Sequence, residues 1–270
     1  MRFAALQLLV PCCLATLAAA APAADPSALF DKPLAERHIP LPHDRYNPQA
    51  KPMLSCFYYP KLMVKQEDRG EIGAARLSIT FVPENGRIPA CSLKPGKGEV
   101  QIDGRNVWSG YFMGVKDEFV FFTSGDGSNG GDGLAVFDIN GTKLFSDLIS
   151  GIHGVDLLSS RQSGSEHPAQ ARLLGLNYRR TYVATCSLMQ DGAQCWEQIR
   201  QLTGLEEANP PDCRKAYSAA HELTPAESWE AFIKDNSVIE YDVEIKLDNA
   251  GTILQLRPAS SGADNCHPAD

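Results

Sequence analysis

Apolar and polar residues alternate along much of this chain, and that alternation predicts strands. Leu77, Ile79 and Phe81 are separated by single polar residues, and the same period of two runs through residues 239–247. A period of two places successive side chains on opposite faces, so these segments are typical of strands with one buried face. Residues 118–123 (EFVFFT) are nearly all apolar instead, which suits a strand buried on both faces.

Turn signals separate these strands. Asn85-Gly86, Asp103-Gly104 and Asn140-Gly141 follow or divide the alternating segments, and such dipeptides accept the positive φ angles of tight hairpins. Hairpins join antiparallel neighbours, whereas parallel strands need long crossover connections. The sequence therefore predicts an α+β fold that is mainly antiparallel β, arranged as a meander, a sandwich or an incomplete, propeller-like structure.

Helical spacing of apolar residues occurs in the last third of the chain. It predicts three short helices, near residues 193–203, 213–221 and 225–234. Gly204 is placed to end the first helix and Asp212 to cap the second. The third begins with Thr224-Pro225-Ala226-Glu227, which has the form of a capping box with proline at the first helical position.

The N-terminus predicts export. Arg2 precedes an uncharged apolar run and a series of small residues that ends near Ala23, as in a cleaved signal peptide. The run is too short to span a bilayer. We therefore expect a signal peptide over 1–23, a proline-rich extended lead-in over 24–53 and one β-rich domain over 54–270. The product should be soluble, with no membrane insertion after cleavage.

Six cysteines remain after the predicted signal peptide. An exported chain meets an oxidising compartment, where cysteines pair as disulfides, and no close pair such as C-x-x-C indicates a metal site. Among the possible pairings we favour Cys56–Cys91, which would tie the first strand to the end of the first hairpin. Cys195–Cys213 would join the first two helices, and Cys186–Cys266 would hold the C-terminal tail.

Charge narrows the choice of partners. The chain has a net charge of −8 and no basic stripe, so nothing in it would neutralise the phosphates of a nucleic acid. We therefore expect no nucleic-acid partner. The sequence leaves the oligomeric state open.

The glycine-rich segment 125–133 suggests a weak calcium site. Asp126, Ser128 and Asp132 offer oxygen ligands between glycines that let a backbone fold around a hard cation. The EF-hand template fails, because its twelfth position, counted from Asp126, is Phe137 and not glutamate. A wide loop between two strands explains the same residues. No other cofactor is predicted.

Catalytic signals are weak. His153 is the best candidate, since Asp156 is close enough in sequence to orient it as a general base. A histidine in a turn explains the same pattern, and the chain has no G-x-S-x-G nucleophile motif. The acidic row of Glu240, Asp242 and Glu244 is predicted to form the solvated face of a strand.

Aromatic residues gather in the first half of the chain, at 57–59, 108–112 and 119–122. Most are expected in the core. Strand alternation should send some of them outward, where aromatic rings suit contacts with sugars or proteins.

The runs WSGYF and FF within residues 108–122 and GLAVFD at 133–138, with Cys186-Ser187-Leu188 and Cys195-Trp196, carry a family resemblance. Over about residues 54–215 the chain resembles uncharacterised secreted proteins of proteobacteria. The resemblance implies export in a Gram-negative bacterium, and it implies no catalytic residues.

Taken together, these patterns favour a periplasmic or secreted binding or structural module that engages a protein or glycan of the cell envelope. The alternative is a small secreted hydrolase that uses His153 with an acidic partner. The first hypothesis requires an exposed aromatic patch without a deep cleft. The second requires a pocket in which His153 meets a carboxylate or a serine.

Overall fold

A computed structural model describes residues 29–43, 45–84, 86–102, 108–159, 172–224 and 226–269. These residues are mostly antiparallel strands with short helices in the C-terminal part, so the predicted fold class is confirmed. The predicted signal peptide and the Asp103-Gly104 turn lie outside the described residues.

The first part of the chain forms a five-stranded sheet in which sequence neighbours pair in order. Its strands are β1 (Ala35–Pro40), β2 (Met53–Tyr58), β3 (Leu62–Asp68), β4 (Arg76–Phe81) and β5 (Glu99–Gln101). All four pairs are antiparallel, as expected for a meander.

The rest of the chain forms a second, eight-stranded antiparallel sheet with three helices inserted before its last strands. Its elements are β6 (Gly110–Lys116), β7 (Phe119–Ser128), β8 (Gly131–Phe137), β9 (Lys143–Ser159), β10 (Arg172–Val183), α1 (Gly192–Thr203), α2 (Arg214–Leu223), α3 (Trp229–Phe232), β11 (Ser237–Asp248), β12 (Ile253–Pro258) and β13 (Asn265–Pro268). The order across the sheet is β12-β11-β10-β9-β8-β7-β6. β12 and β13 pair with successive parts of the same edge of β11.

The predicted lead-in contains a strand that the sequence pattern did not indicate. β1 pairs with β2 along its whole length, from Ala35 opposite Tyr58 to Pro40 opposite Met53. Proline cannot donate to a ladder and is tolerated on an edge strand, and β1 is at the edge of its sheet. Residues 35–40 of the predicted lead-in therefore form a strand of the five-stranded sheet.

β7 carries apolar side chains on both faces. Phe119 and Phe121 belong to one core cluster and Val120 and Phe122 to another, and all four are at most 1% exposed. The first cluster contains the inward side chains of the helices, and the second contains one face of the five-stranded sheet. The sequence prediction of a strand buried on both faces is confirmed.

The large sheet is strongly bent along β9. The first half of this strand pairs with β8 and the second half with β10, with register shifts at Asn177/Tyr178 and Arg179/Arg180, and such bulges bend a strand. The turn between β11 and β12 returns to the start of β9, since a Cβ on Gly251 would lie 3.2 Å from the Cα of Leu144. The sheet therefore has a concave inner side.

The helices agree with the sequence in number, and the third differs in its start. α1 ends at Gly204, which has a φ of 78° as its predicted role requires. α3 begins after Ser228, whose hydroxyl accepts a hydrogen bond from the amide of Ala231. The predicted capping box at 224–227 is therefore wrong, and Pro225 lies outside the described residues.

One predicted disulfide is present and two are wrong. Cys56 pairs with Cys91, while Cys186 pairs with Cys195 and Cys213 with Cys266. Cys213 immediately precedes α2, which packs against β13, the strand that holds Cys266. Cys195 lies in the first turn of α1, close to the preceding loop that carries Cys186. The docking of the tail on α2 therefore excludes the predicted Cys195–Cys213 and Cys186–Cys266 pairs.

The five-stranded sheet contains a buried ion pair. Lys65 of β3 is 1% exposed, and its Nζ lies 2.6 Å from Oε2 of Glu99 on β5. The hydroxyl of Ser78 and the amide of Gly96 also donate to this carboxylate. Burial opposes ionisation, but these donors outweigh it and hold the pKa of Glu99 below its ordinary value of 4.5. The stability that this ionised carboxylate contributes is present above that value and is lost as the pH falls through the lowered pKa.

The disulfide connectivity can be checked by peptide mapping. Trypsin should release residues 181–200, which contain Cys186 and Cys195, as a single peptide lighter by two hydrogens than its reduced form. Residues 201–214 and 247–270 should be released joined through Cys213 and Cys266. Mass spectrometry of the unreduced digest decides the matter, because the alternative pairing would join all three peptides.

The buried ion pair gives a second prediction. Lys65→Met should lower the free energy of unfolding by about 3–5 kcal/mol at neutral pH, because it leaves the carboxylate of Glu99 buried and unpaired. Adding Glu99→Leu should restore much of the loss. Urea unfolding of the wild type, both single variants and the double variant measures this. The cost of Lys65→Met should shrink in acid, where Glu99 is protonated, and a double variant as unstable as the single one would contradict the argument.

Candidate functional site

The structure gives His153 a different carboxylate from the predicted one. Nε2 of His153, on β9, lies 3.3 Å from Oδ1 of Asp242 on β11, whereas Asp156 lies farther along β9, opposite Gly175. The predicted His153–Asp156 pair is therefore corrected to His153–Asp242. Both side chains are about half exposed, and the two concave sites described below are lined by other residues.

The acidic row on β11 is paired with bases. Nε of Arg179 lies 3.3 Å from Oε2 of Glu240, and Nη1 lies 3.7 Å from Oδ1 of Asp242. Arg257 donates to Glu244 from Nε at 2.9 Å. Burial works against ionised Glu240, but its hydrogen bonds, with that of Arg179 among them, lower its pKa. This outer face is a ladder of ion pairs beside solvent, and it offers no enclosed site for a substrate.

The glycine-rich segment is a tight hairpin and not a wide loop. Asn129 and Gly130 both have positive φ angles, 52° and 74°, as the two central residues of a type I′ turn require. Ser128 pairs with Gly131, and the next pair places Asp132 opposite Gly127.

This register separates the predicted calcium ligands. Side chains of adjacent residues point to opposite faces of a strand, so Asp132, on the face of Gly127, is on the other face from Ser128. The described residues contain no group of three or more His, Cys, Asp or Glu side chains that could hold a metal. The structure therefore does not bring Asp126, Ser128 and Asp132 together as a site.

Most of the clustered aromatic residues are structural, as predicted. Nε1 of Trp108 donates to the carbonyl of Thr123 at 3.1 Å. The hydroxyl of Tyr111 donates to the carbonyl of Glu71 at 2.9 Å and accepts from the amide of Gly73. These rings tie the loops around β6 to the sheets.

Three of the clustered aromatic residues, together with Phe30 of the lead-in, line a groove between the two sheets. This aromatic groove has a volume of about 560 Å³ and is lined by Phe30, Asp31, Lys32, Pro33, Glu36, Phe57, Tyr59, Phe112, Met113 and Gly114. The ring centroids of Phe57 and Phe112 are 4.7 Å apart, and those of Tyr59 and Phe112 are 6.4 Å apart. Phe112 packs in turn on buried Phe122 at 5.9 Å. The aromatic wall is thus held by the second core.

Two carboxylates stand at the rim of the groove. Oδ2 of Asp31 accepts a hydrogen bond of 2.6 Å from the amide of Asp117, and Oε2 of Glu36 lies 3.2 Å from Nε2 of His38. Burial raises the pKa of Tyr59, and the negative charges of Glu36 and Asp31 raise it further. Tyr59 therefore keeps its proton at neutral pH and presents a phenol to a groove with acceptors at its rim.

The lead-in forms one wall of the groove, and its Phe30 ring packs directly on the backbone of Gly114. A Cβ on Gly114 would lie 2.3 Å from Cγ of Phe30, so the ring of Phe30 needs a glycine beneath it. That ring also contacts Phe121 of the first core, at 5.1 Å between centroids. The amide of Asp31 donates to the carbonyl of Val115, which fixes the next residue of the wall.

A second concave site lies on the inner side of the large sheet. This Arg180 pocket has a volume of about 360 Å³ and is lined by Lys143, Leu144, Phe145, Ser146, Asp147, Arg180, Ile253 and Leu256. Nε of Arg180 lies 3.0 Å from Oδ2 of Asp147, and Nη1 lies 3.3 Å from the hydroxyl of Tyr241. The hydroxyl of Tyr178 donates to Asp147 at 2.6 Å.

Burial sets the chemistry of the two tyrosines. It raises the pKa of Tyr178, with the charge of Asp147 as the next cause, and it raises the pKa of Tyr241 against the opposing effect of Arg180. Both phenols are therefore protonated near neutral pH, and the hydroxyl of Tyr178 donates to Asp147 while that of Tyr241 accepts from Arg180. Arg180 and Asp147 form an ion pair whose side chains are 24% and 12% exposed.

Sequence reasoning missed the Arg180 pocket, although β10 contains a signal for it. Leu174, Leu176 and Tyr178 alternate and are all fully buried. The same period places Arg180 on the buried face. A charge at an inward position of a strand marks a compensated or functional site.

Comparison with known proteins adds no assignment: no family model, curated protein or solved structure matches the chain. In the described part of the chain, none of the helices is both long and apolar enough to cross a membrane.

The contact between Phe30 and Gly114 can be tested by a double-mutant cycle. Gly114→Ala should destabilise the protein because its methyl group overlaps the ring. Phe30→Ala should cost about 1–3 kcal/mol, since the ring is partly buried against the first core. The double variant should be more stable than the sum predicts by about 0.5 kcal/mol or more, because Phe30→Ala removes the two shortest contacts. Urea unfolding provides the energies.

Gly151→Ala is the matched control, because a Cβ there would meet no atom within 4 Å. Equal effects of Gly114→Ala and Gly151→Ala on stability, or strict additivity in the cycle, would contradict the packing of Phe30 on Gly114.

Proposed function

We propose that this chain is an exported binding module, periplasmic or secreted in a bacterium, whose aromatic groove binds an uncharged glycan. The observation that carries the proposal is the combination of an aromatic wall with carboxylates at the rim of a groove of about 560 Å³. Small-molecule sites have this size and this mixture of apolar lining and few polar groups.

The chemistry of the groove favours a sugar. A sugar ring presents C–H groups on its faces, which suit the rings of Phe57 and Phe112, and hydroxyl donors at its edge, which suit carboxylate acceptors. Glu36 and Asp31 supply those acceptors at the rim. Tyr59 adds a donor and acceptor in its hydroxyl. The groove is concave, whereas the sequence-based hypothesis expected a patch without a cleft.

Binding is favoured over hydrolysis at this groove. A glycosidase needs a carboxylic acid whose pKa is raised, as by burial, facing a second carboxyl group. The side chains of Asp31 and Glu36 are 44% and 46% exposed. The hydrolase alternative with His153 gains a carboxylate partner in Asp242, but both side chains are on the open outer face of the large sheet.

The disulfides support the exported location. Three cross-links tie segments that are 9 to 53 residues apart in sequence. Structural disulfides persist in the periplasm and outside the cell, and they are rare in the cytosol. The predicted signal peptide and the resemblance to secreted proteobacterial proteins are in keeping with this location.

The glycan proposal is tested by calorimetric titration with the β-1,4-linked hexamer of N-acetylglucosamine and with cellohexaose. We expect saturable binding of at least one of them to the wild type. Phe57→Leu removes a stacking ring and should weaken binding about fivefold, and Glu36→Gln removes a charged acceptor and should weaken it about tenfold.

Two variants control for nonspecific effects. Phe81→Leu changes a phenylalanine that is about half exposed on β4, and Glu71→Gln changes an exposed carboxylate, both outside the groove. Neither should alter the affinity. The absence of binding by both sugars would contradict the proposal. An equal loss of affinity in the control and groove variants would also contradict it.

A further inference from the structure

The inner face of β12 has apolar side chains that nothing in the described chain covers. Ile253 and Leu256 pair with Leu247 and Ile245, whose side chains are fully buried in the first core. Paired residues of adjacent strands project to the same face, yet Ile253 and Leu256 remain 47% and 41% exposed. They form one wall of the Arg180 pocket, and Leu144 and Phe145 lie on the other side.

The polar side of this pocket is rich in donors. The carboxylate of Asp147 already accepts from Arg180, from the hydroxyl of Tyr178 and from the amide of Leu148. Arg180 has five N–H donors, and its hydrogen bonds within the described residues use Nε and Nη1. Tyr241, which is 1% exposed and does not line the pocket, accepts one of these hydrogen bonds. Donors thus exceed acceptors at this end of the pocket.

The charge of the pocket has the opposite sign to that of the chain. Lys143 and Arg180 against Asp147 give the lining a net charge of +1, in a chain whose net charge is −8. The side chain of Arg180 is 24% exposed, so its remaining N–H groups can be reached by a ligand in the pocket. An anionic group at the guanidinium would satisfy these donors, whereas a cationic group would be repelled.

From these observations we propose that the Arg180 pocket is a second binding site, for a small carboxylate with an apolar tail. The carboxylate accepts hydrogen bonds from the free N–H groups of Arg180, with the positive charge of Lys143 also on the lining, and the tail lies along Ile253 and Leu256. A volume of about 360 Å³ suits a compact ligand. The site is on β9, β10 and β12, away from the aromatic groove on β1, β2 and β6, and it does not depend on the glycan proposal.

The test uses octanoate as the probe, titrated by calorimetry into the full chain, with octanol and octylamine as matched ligands of the same length. We expect one octanoate per chain and affinities for octanol and octylamine that are lower by about tenfold or more, since each lacks the anionic acceptor. Equal affinity of the three ligands, or no binding of octanoate, would overturn the proposal.

Two leucines of β12 supply a matched pair of variants. Leu256 lines the pocket and Leu254 does not, although both are about half exposed on the same strand. Leu256→Ser should weaken octanoate binding about fivefold, and Leu254→Ser should leave it within about twofold. Glu36→Gln, in the aromatic groove, should have no effect. Equal losses for the two leucine variants would contradict the assignment.

A photoreactive octanoate analogue locates the site without any variant. Labelling should fall on the tryptic peptides 144–161 and 247–270, which carry the two walls of the pocket. Labelling confined to other peptides would overturn the proposal.

Discussion

The burial of β7 and β8 on both faces is the constraint on which the rest of the molecule depends. Phe119 and Phe121 belong to the core under the helices, and Val120 and Phe122 to the core under the five-stranded sheet. A strand with two apolar faces is stable only if both are covered, since each exposed face would lose the free energy of burial. The two sheets and the helices are therefore organised around this pair of strands. The aromatic groove lies at the edge of the second core, where Phe57 and Phe112 are only partly buried.

The two ion pairs on inward faces of the sheets, Lys65–Glu99 and Arg180–Asp147, differ in how many of their donors have an acceptor. Glu99 accepts hydrogen bonds from Lys65, Ser78 and Gly96, so the buried carboxylate has its donors and the pair is structural. Asp147 and Arg180 are also matched to each other, but the guanidinium keeps further donors beside a cavity. A buried charge is tolerated when its partners satisfy it. The surplus of donors distinguishes a site that can take a ligand from a pair that only holds strands together.

The lead-in connects the fold with the candidate site. Its strand β1 extends the five-stranded sheet, and Phe30 reaches the first core through the space that Gly114 leaves. Residues 30–33 thereby form one wall of the aromatic groove. A proline-rich segment with little periodicity thus contributes both a strand of the sheet and part of the lining of the aromatic groove.

Local patterns were sufficient for much of the fold. The period of two in 239–247, the apolar run at 118–123, the Asn140-Gly141 turn and the helix that ends at Gly204 are each decided by residues close in sequence, and each is present in the structure. Cys56–Cys91 was also predicted, and it joins β2 to the connection between β4 and β5. β1 was missed because an edge strand needs no apolar period, and its pairing depends on the partner strand.

Tertiary structure alone decided the contacts between residues that are distant in sequence. The docking of the tail beside α2 selects Cys213–Cys266, and the side-by-side arrangement of β9, β10 and β11 brings His153 to Asp242 and Arg180 to Asp147. A sequence pattern reports on which face a residue lies, because that depends on backbone geometry a few residues long. Which residue it meets there depends on strand order, register and bulges, and these are settled only when the whole core is packed.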